Sequence, residues 1–320
     1  MPRLINRQII FAVLQPNVNA PVAVAGSDAI LASNLDFSYI DEKLVEREAL
    51  RTGSLGPLAP CFVTRRAQLT FSTEVRGGGG ADTPPEIATL LQIAGYSQAI
   101  TPATSVSYSL LADPSSQTSW ATIDFYYDRE FVRLQNCVAS HRTVMNANQS
   151  VMDEWTVVGQ IVSINTNAAQ AVPAYQTTKP IQANNITFNY PLAGAGTNQL
   201  SSFTFDLANE LLNEESLQSP DGFIPAEVTS RGPVTGTINP IMEIGAPNID
   251  WNALLAANTV QALGVGAIGT VGGNICTFTF PAVSVTSVQH GERNKLLNWE
   301  IALRFSETSS LNDEISRVYS

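Results

Sequence analysis

The side chains able to move protons or hold metals are few in this chain, and they are scattered. Its 320 residues contain two histidines, His141 and His290, and three cysteines, Cys61, Cys137 and Cys276. An imidazole becomes a general base or a metal ligand when a carboxylate, a thiolate or a second imidazole stands at the right spacing. Neither histidine has such a neighbour, there is no CxxC, and the cysteines are odd in number and far apart. Each cysteine lies in or beside an apolar run and reads as a small buried hydrophobe, which fits synthesis in a reducing compartment. His290, in VQHGER, reads as a solvated turn residue. YYDRE (126–130) gathers Asp128, Arg129 and Glu130, an arrangement open to acid–base work, but apolar strand patterns flank it and a charged hairpin turn is its expected form. GGGG (77–80) lacks the Lys-Ser/Thr of a phosphate loop and reads as a flexible connector. GxSxG, HExxH and EF-hand patterns do not occur. The expectation is no enzyme, no cofactor and no metal.

The elements around these residues carry more information. Alternation at period two dominates, the mark of strands with one apolar and one polar face. QLTFSTEV (68–75) sets Leu69, Phe71, Thr73 and Val75 against Gln68, Thr70, Ser72 and Glu74. WATIDFYY (120–127) aligns Ala121, Ile123, Phe125 and Tyr127; NITFNY (185–190) aligns Ile186, Phe188 and Tyr190; TFTF (277–280) aligns Phe278 and Phe280 with Cys276. The apolar run IIFAVL near the N-terminus is too short for a signal core and reads as a first strand. Helix signals are confined to two places. In ADTPPEIATLLQIAGY, Thr83 suits a cap, Pro84 the first turn and Gly95 the C′ position, with Ile87, Leu90, Leu91 and Ala94 on one stripe. In APNIDWNALLAAN, Asn248 suits the cap, and Trp251, Leu254, Leu255 and Asn258 form the stripe.

The chain also repeats itself. LLNWEIALRF (296–305) and DEWTVVGQI (153–161) are both alternating runs led by a tryptophan, Trp299 and Trp155, 144 residues apart. The two helical segments recur 164 residues apart, and VTRRAQLTFSTEV (63–75) matches VTSRGPVTGTINP (228–240) at an offset of 165. The order of features is the same in each half. The sequence therefore predicts a mainly β (α+β) protein of two tandem copies of one antiparallel domain, each with one short helix: residues 1–165, a linker at 166–180 that is poor in apolar periodicity, and residues 181–320. Two long stretches without clean strand period, 38–60 and 206–227, occupy equivalent places. Loops of that length in compact domains tend to be functional.

Composition narrows the partners. Charged residues are 14% of the chain, against about 25% in an average soluble protein, and a low-charge surface suits burial in an assembly. Net charge is −11; residues 1–175 carry 11 basic and 15 acidic side chains, and residues 176–320 carry 6 and 13. Nucleic-acid affinity comes largely from Lys and Arg neutralising phosphates, so tight DNA binding is not expected. No segment is long enough to span a membrane as a helix.

SDAILASNLDF, the stretch ending EREALRTGSLGPLAP, VTRRAQLTFSTEVRGGG, PPEIATLLQIAGY, SVSYSLLADP and ATIDFYYD, in that order over residues 25–165, together resemble the tail tube proteins of long-tailed bacteriophages, in their branch of about 300 residues. The second half resembles them mainly through the repeat. The chain departs from the pattern where relatives have Asp-Gly, here Asp128-Arg129, and where a Gly-rich stretch is replaced by QNCVASH. The resemblance implies tandem β-sandwich or barrel domains that line a channel for viral DNA. It implies three copies in a pseudo-sixfold ring, rings stacked into a tube, and other tail proteins at the tube ends. The setting would be the virion, with assembly in the host cytoplasm. On this reading Gln68, Thr70, Ser72 and Glu74 are candidates to line the lumen. Glu42, Lys43, Glu46, Arg47 and Arg51 in the first long stretch, with Glu210, Glu214, Glu215 and Asp221 in the second, are candidates for contacts between rings. Their different charge would set the rotational register of the stack. A distal-tail or baseplate ring of the same fold is an alternative, and a β-rich hydrolase or glycan-binding module using the Asp/Glu pairs is a remoter one.

Overall fold

The computed structural model describes residues 8–47, 58–111, 119–166, 169–189, 199–212, 214–219, 222–225, 227–242, 249–310 and 312–320. Strands dominate. In the first half they are β1 (Gln8–Leu14), β2 (Ala29–Ile30), β3 (Ala32–Arg47), β4 (Leu58–Glu74), β5 (Tyr96–Thr101), β6 (Ser105–Leu110), β7 (Ala121–Tyr127), β8 (Glu130–Asn146) and β9 (Met152–Thr166). In the second half they are β10 (Phe188–Asn189), β11 (Leu200–Asp206), β12 (Asn209–Leu212), β13 (Glu227–Arg231), β14 (Val234–Pro240), β15 (Val260–Ile268), β16 (Cys276–Arg293), β17 (Leu296–Ser306) and β18 (Ser316–Tyr319). Two α-helices occur among the described residues, α1 (Ala88–Ile93) and α2 (Trp251–Ala257). None among those residues is long and apolar enough to cross a membrane.

Every ladder between these strands is antiparallel, and one ladder scheme occurs twice. In the first half the order is β1–β7–β8–β9–β4–β3. The second half gives β10–β15–β16–β17–β14–β11. Trp155 lies opposite His141 on β8 as Trp299 lies opposite His290 on β16. Taking those tryptophans as equivalent, Leu69 (opposite Val157) matches Ile238 (opposite Ile301), an offset of 238 − 69 = 169 rather than 165. The four-residue difference is even, so the faces agree although the register read from the sequence does not.

The halves are joined by β11 pairing with the end of β8, from Ser202↔Asn146 to Asp206↔Arg142. One sheet of eight strands, β3–β4–β9–β8–β11–β14–β17–β16, thus runs through both halves. β8 and β16 each turn out of it into an outer layer. β8 pairs with β7 up to Cys137 before meeting β11 at Arg142, and its ladder to β9 is bulged between Gln135 and Val138. β16 leaves β15 at Ser284, with a bulge between Val285 and Ser287. A bulge bends its strand, which is what a corner between layers needs. At the first corner Asn136 adopts φ 49°, a backbone region that Asn tolerates better than most residues. It is buried and hydrogen-bonded to Gln15, Asn19 and Gln160. This is how QNCVASH turns a corner without glycine.

The largest hydrophobic core lies between the layers and spans both halves. It includes Leu69, Phe71, Trp155 and Val157 from the first, and Phe205, Phe278, Phe280 and Phe305 from the second. Its C-terminal seam is built by β18, which pairs on one side with β16 and on the other with β6.

Several sequence expectations change here. Strand β7 is buried on both faces, because Thr122 and Asp124 are covered as fully as Ile123 and Phe125. Of NITFNY only Phe188 and Asn189 are strand, and Tyr190 lies outside the described residues. Helix α1 begins after Pro85 with Ile87 as its cap residue, so Thr83 and Pro84 stand in the preceding turn; Gly95, at φ 90°, does follow the C-cap Ala94 at the C′ position. Helix α2 is capped by Asp250, whose Oδ1 accepts from the Ala253 amide at 2.9 Å, while Asn248 lies outside the described residues. Trp251 and Leu254 are buried, but Leu255 and Asn258 are exposed, so the stripe is narrower than its spacing promised. The GGGG run is packed rather than loose. A Cβ on Gly77 would lie 2.2 Å from the Gly273 carbonyl oxygen, and the Gly79 amide donates to that oxygen at 3.0 Å.

Candidate functional site

The site that this sheet builds is a surface. Its inward side, facing the core, carries Leu69, Phe71, Val157, Phe203, Phe205, Ile301 and Leu303. Its other side is mostly polar, interrupted by Val144, Met152, Val158 and Ala302. One row across seven strands reads Ser72, Glu154, Arg142, Asp206, Thr235, Arg304, Ser284. The face is concave in both halves. A hollow of about 610 Å³ is lined by Thr70, Ser72, Ser140, Arg142, Glu154 and Asp206 among others, and a second of about 400 Å³ by Ser202, Thr237, Asn239, Gln289 and Glu300. Carboxylates outnumber guanidiniums modestly on it: Asp36, Glu74, Glu154, Asp206 and Glu300 stand with Arg142, Arg293, Arg304 and the buried Arg66, and Glu74 is paired with Arg76. Gln68, Thr70, Ser72 and Glu74 all lie on this polar face of β4, half-buried, with Thr70 and Ser72 in the larger hollow.

The described residues of 38–60 are strand rather than loop, whereas 206–227 is strand only at Asp206, β12 and Glu227 and is otherwise irregular over its described residues. Over its described residues the first is a hairpin arm, β3 running on to Arg47 and β4 starting at Leu58. The second contains the β12–β13 hairpin. Period-two reading failed on the first arm because its distal strands expose both faces: Leu44, Val45, Phe62 and Val63 are exposed, with Glu42, Lys43 and Glu46 between them. Arg51 and Asp221 lie outside the described residues. Lys43 and Glu215 are brought together in an ion pair across the two arms, and Glu42 stands 4.0 Å from Arg65. Glu46, Arg47, Glu210 and Glu214 make no ion pair with one another among the described residues. Sequence reading passed over the residues that tie the arms together. Arg66 donates to the Ile224 carbonyl and sits 4.5 Å over the Phe223 ring.

The buried polar residues are structural. Asp153 on β9 accepts from Arg317 on β18 at 2.8 Å and from Thr143 at 2.5 Å, with both charged side chains essentially out of solvent. Burial opposes the Arg317 charge, but Asp153, Tyr319 and Cys276 together outweigh that and hold the guanidinium pKa well above its usual value. His141, 2% exposed, packs on Trp155 at 4.8 Å and approaches the Tyr96 hydroxyl at 3.1 Å. Burial pushes its pKa down to about 4, so it is neutral at pH 7. His290 is not in a turn: it lies within β16, exposed, with its ring 4.6 Å from Trp299, and the turn is Asn294-Lys295 beyond it. Both central residues there have positive φ, as a two-residue hairpin turn requires. Cys137 and Cys276 are buried, but Cys61 is exposed because it sits on the arm beyond the core. YYDRE is the β7–β8 hairpin, and Asp124 rather than Asp128 meets Arg133, through two hydrogen bonds of 2.8 and 2.7 Å. Among the described residues no three His, Cys, Asp or Glu side chains converge as a metal site would need. No protein-family model and no curated protein matches the chain.

Proposed function

We propose that this protein is the building block of a phage tail tube: three copies close into a ring of six similar domains, and rings stack around a channel for DNA. The observation that carries this reading is the uninterrupted eight-stranded sheet with one largely polar, concave face on which carboxylates modestly outnumber guanidiniums. Three copies give 3 × 8 = 24 strands; at about 4.8 Å per strand the barrel is roughly 37 Å across before strand tilt widens it. Natural barrels of 16–18 strands already hold an aqueous channel. Gln68, Thr70, Ser72 and Glu74 then line the lumen, where prevailing carboxylates repel the phosphate backbone and let DNA slide. The tandem domains are residues 1–165 and 181–320, joined by 166–180. The arms carrying Glu42, Lys43, Glu46, Arg47 and Arg51, and Glu210, Glu214, Glu215 and Asp221, reach the adjoining ring. The role is structural rather than catalytic. Assembly takes place in the host cytoplasm, and other tail proteins meet the tube ends.

Negative-stain electron microscopy of the purified chain over a concentration series tests this. The expected images are threefold rings and stacked tubes. Rings that never stack at any concentration favour a distal-tail ring, and compact monomers throughout overturn the reading.

A further inference from the structure

The joint between the two halves has a counterpart that the chain leaves open. Inside the molecule, β11 brings Phe203-Thr204-Phe205 to the end of β8, and both phenylalanines are buried. Phe205 lies 6.1 Å from His141, which packs in turn against Trp155. The equivalent strand in the first half is β3, where Phe37 lies opposite Leu69 as Phe203 lies opposite Ile238. It carries the same aromatic spacing, Phe37-Ser38-Tyr39, yet Tyr39 is 40% exposed, and β3 pairs only with β4 among the described residues. The equivalent of the receiving edge is the end of β16. Beyond Ser284 it pairs only with β17 among the described residues, and His290 on Trp299 is exposed where His141 is covered. Each half therefore has a donor strand and an acceptor edge, and only one of the two pairs is satisfied within the chain.

We infer that a second copy of this chain satisfies the other: the outer edge of β3 of one copy pairs antiparallel with the end of β16 of the next, in the register of β11 on β8. Asp206 opposite Arg142 translates to Ile40 opposite Gly291, Phe205 opposite Thr143 to Tyr39 opposite Glu292, and Thr204 opposite Val144 to Ser38 opposite Arg293. Tyr39 then covers the His290–Trp299 pair as Phe205 covers His141–Trp155. Asp36, on the same face as Ser38, stands diagonal to Arg293, within reach of an opposite-charge pair. The arm follows the same logic. Leu211 and Val228 of the second arm pack with Val138 and Trp120, the residue before β7. Val45, at the place of the first arm that corresponds to Leu211, is exposed, and so is Val260 at the start of β15. They meet across the joint. Such a contact is head-to-tail, so it satisfies every edge only when the copies close into a ring. The inference rests on the ring reading above and specifies its seam.

Paired cysteines test the register. Residues directly opposite in an antiparallel ladder have Cα atoms about 4.5–5.5 Å apart, inside the range a disulfide spans. In a Cys61→Ser background, Ser38→Cys with Arg293→Cys should give covalent dimers and trimers on oxidation and nothing larger. The slipped pair, Tyr39→Cys with Arg293→Cys, should cross-link several-fold less. Rings seen by microscopy without cross-linking of the first pair, or with equal cross-linking of both, overturn this seam while leaving the ring reading intact. A parent protein that forms no ring overturns both. Tyr39→Arg should raise the concentration needed for assembly by about tenfold or more and lower the urea midpoint of the dissociated chain only slightly, through the lost contacts with Phe37 and Arg65. An unchanged assembly concentration removes Tyr39 from the joint.

Discussion

The two histidine–tryptophan pairs show how far one ladder scheme diverges with its surroundings. At the first, β11 closes the edge, Phe205 covers the ring, and β18 brings Arg317 to Asp153. At the second, His290 is exposed and Leu297, the position equivalent to Asp153 (297 − 153 = 299 − 155 = 144), is 62% exposed. A further difference lies outside the repeat. The β5–β6 hairpin follows α1 in the first half and clamps β18, whereas α2 is followed almost directly by β15. The internal joint is thus permanent, sealed by core packing, a buried ion pair and an extra hairpin. The other edge is open among the described residues. The strand pattern is common to both; what differs is which edges the same chain can reach.

The sharpest break in that comparison is removal of one charge from the sealed joint. Asp153→Ala leaves Arg317 buried without its partner and should cost about 3–5 kcal/mol in urea unfolding. Asp153→Leu with Arg317→Met, which copies the leucine of the second half, should recover most of that loss. Recovery of none of it would show that the charges themselves are needed. Phe205→Ala empties a core position and should cost about 3–5 kcal/mol. Tyr39→Ala in the dissociated chain should cost under about 1 kcal/mol, its losses being the ring contact with Phe37 and the Arg65 guanidinium 4.1 Å over it. Equal costs would mean that the two strands are not counterparts.

Acidity probes the first pair alone. His141 has its folded pKa depressed to about 4 by burial, against about 6.5 when unfolded, although Asp153 pulls it up. The folded state therefore favours neutral imidazole. Its contribution is fully present above pH 6.5 and is lost as pH falls towards 4, a decline of about 3 kcal/mol. Chemical denaturation at stepped pH should show this decline in the parent and a shallower one in His141→Gln. The smallest effect is expected at the arms. Lys43 and Glu215 are largely exposed and screened, so Lys43→Ala should shift the stability of the dissociated chain by at most about 0.5 kcal/mol.

Much of the architecture was legible along the chain. QLTFSTEV buries Leu69, Phe71 and Val75, and LLNWEIALRF buries Ile301, Leu303 and Phe305 while its leading leucines stay exposed, because a strand with one buried face must alternate. Asn294-Lys295 and the exposed arms were not legible. A turn displaced by a few residues keeps the same local composition, so VQHGER looked like the turn, and a strand with no buried face carries no period to detect. The candidate surface was legible only as the polar half of the alternation on β4. Its partners across the sheet, Glu154, Arg142 and Asp206, are far apart in sequence and meet only through ladder register.

By itself the sequence determined that the chain is built of antiparallel strands, that its pattern is written twice, and that its surface is sparse in charge and acidic in balance. These are local periodicities and sums, which need no knowledge of what packs on what. Only the tertiary structure decided that the two copies share one core, that β18 crosses back to β6, and that Asp153 meets Arg317. It alone placed one histidine under cover and left the other on an open edge. Such outcomes depend on contacts between strands far apart along the chain, such as Asp153 with Arg317 and Phe205 with His141. Their free energy is gained only once the whole sheet has formed, so no short stretch of sequence encodes them.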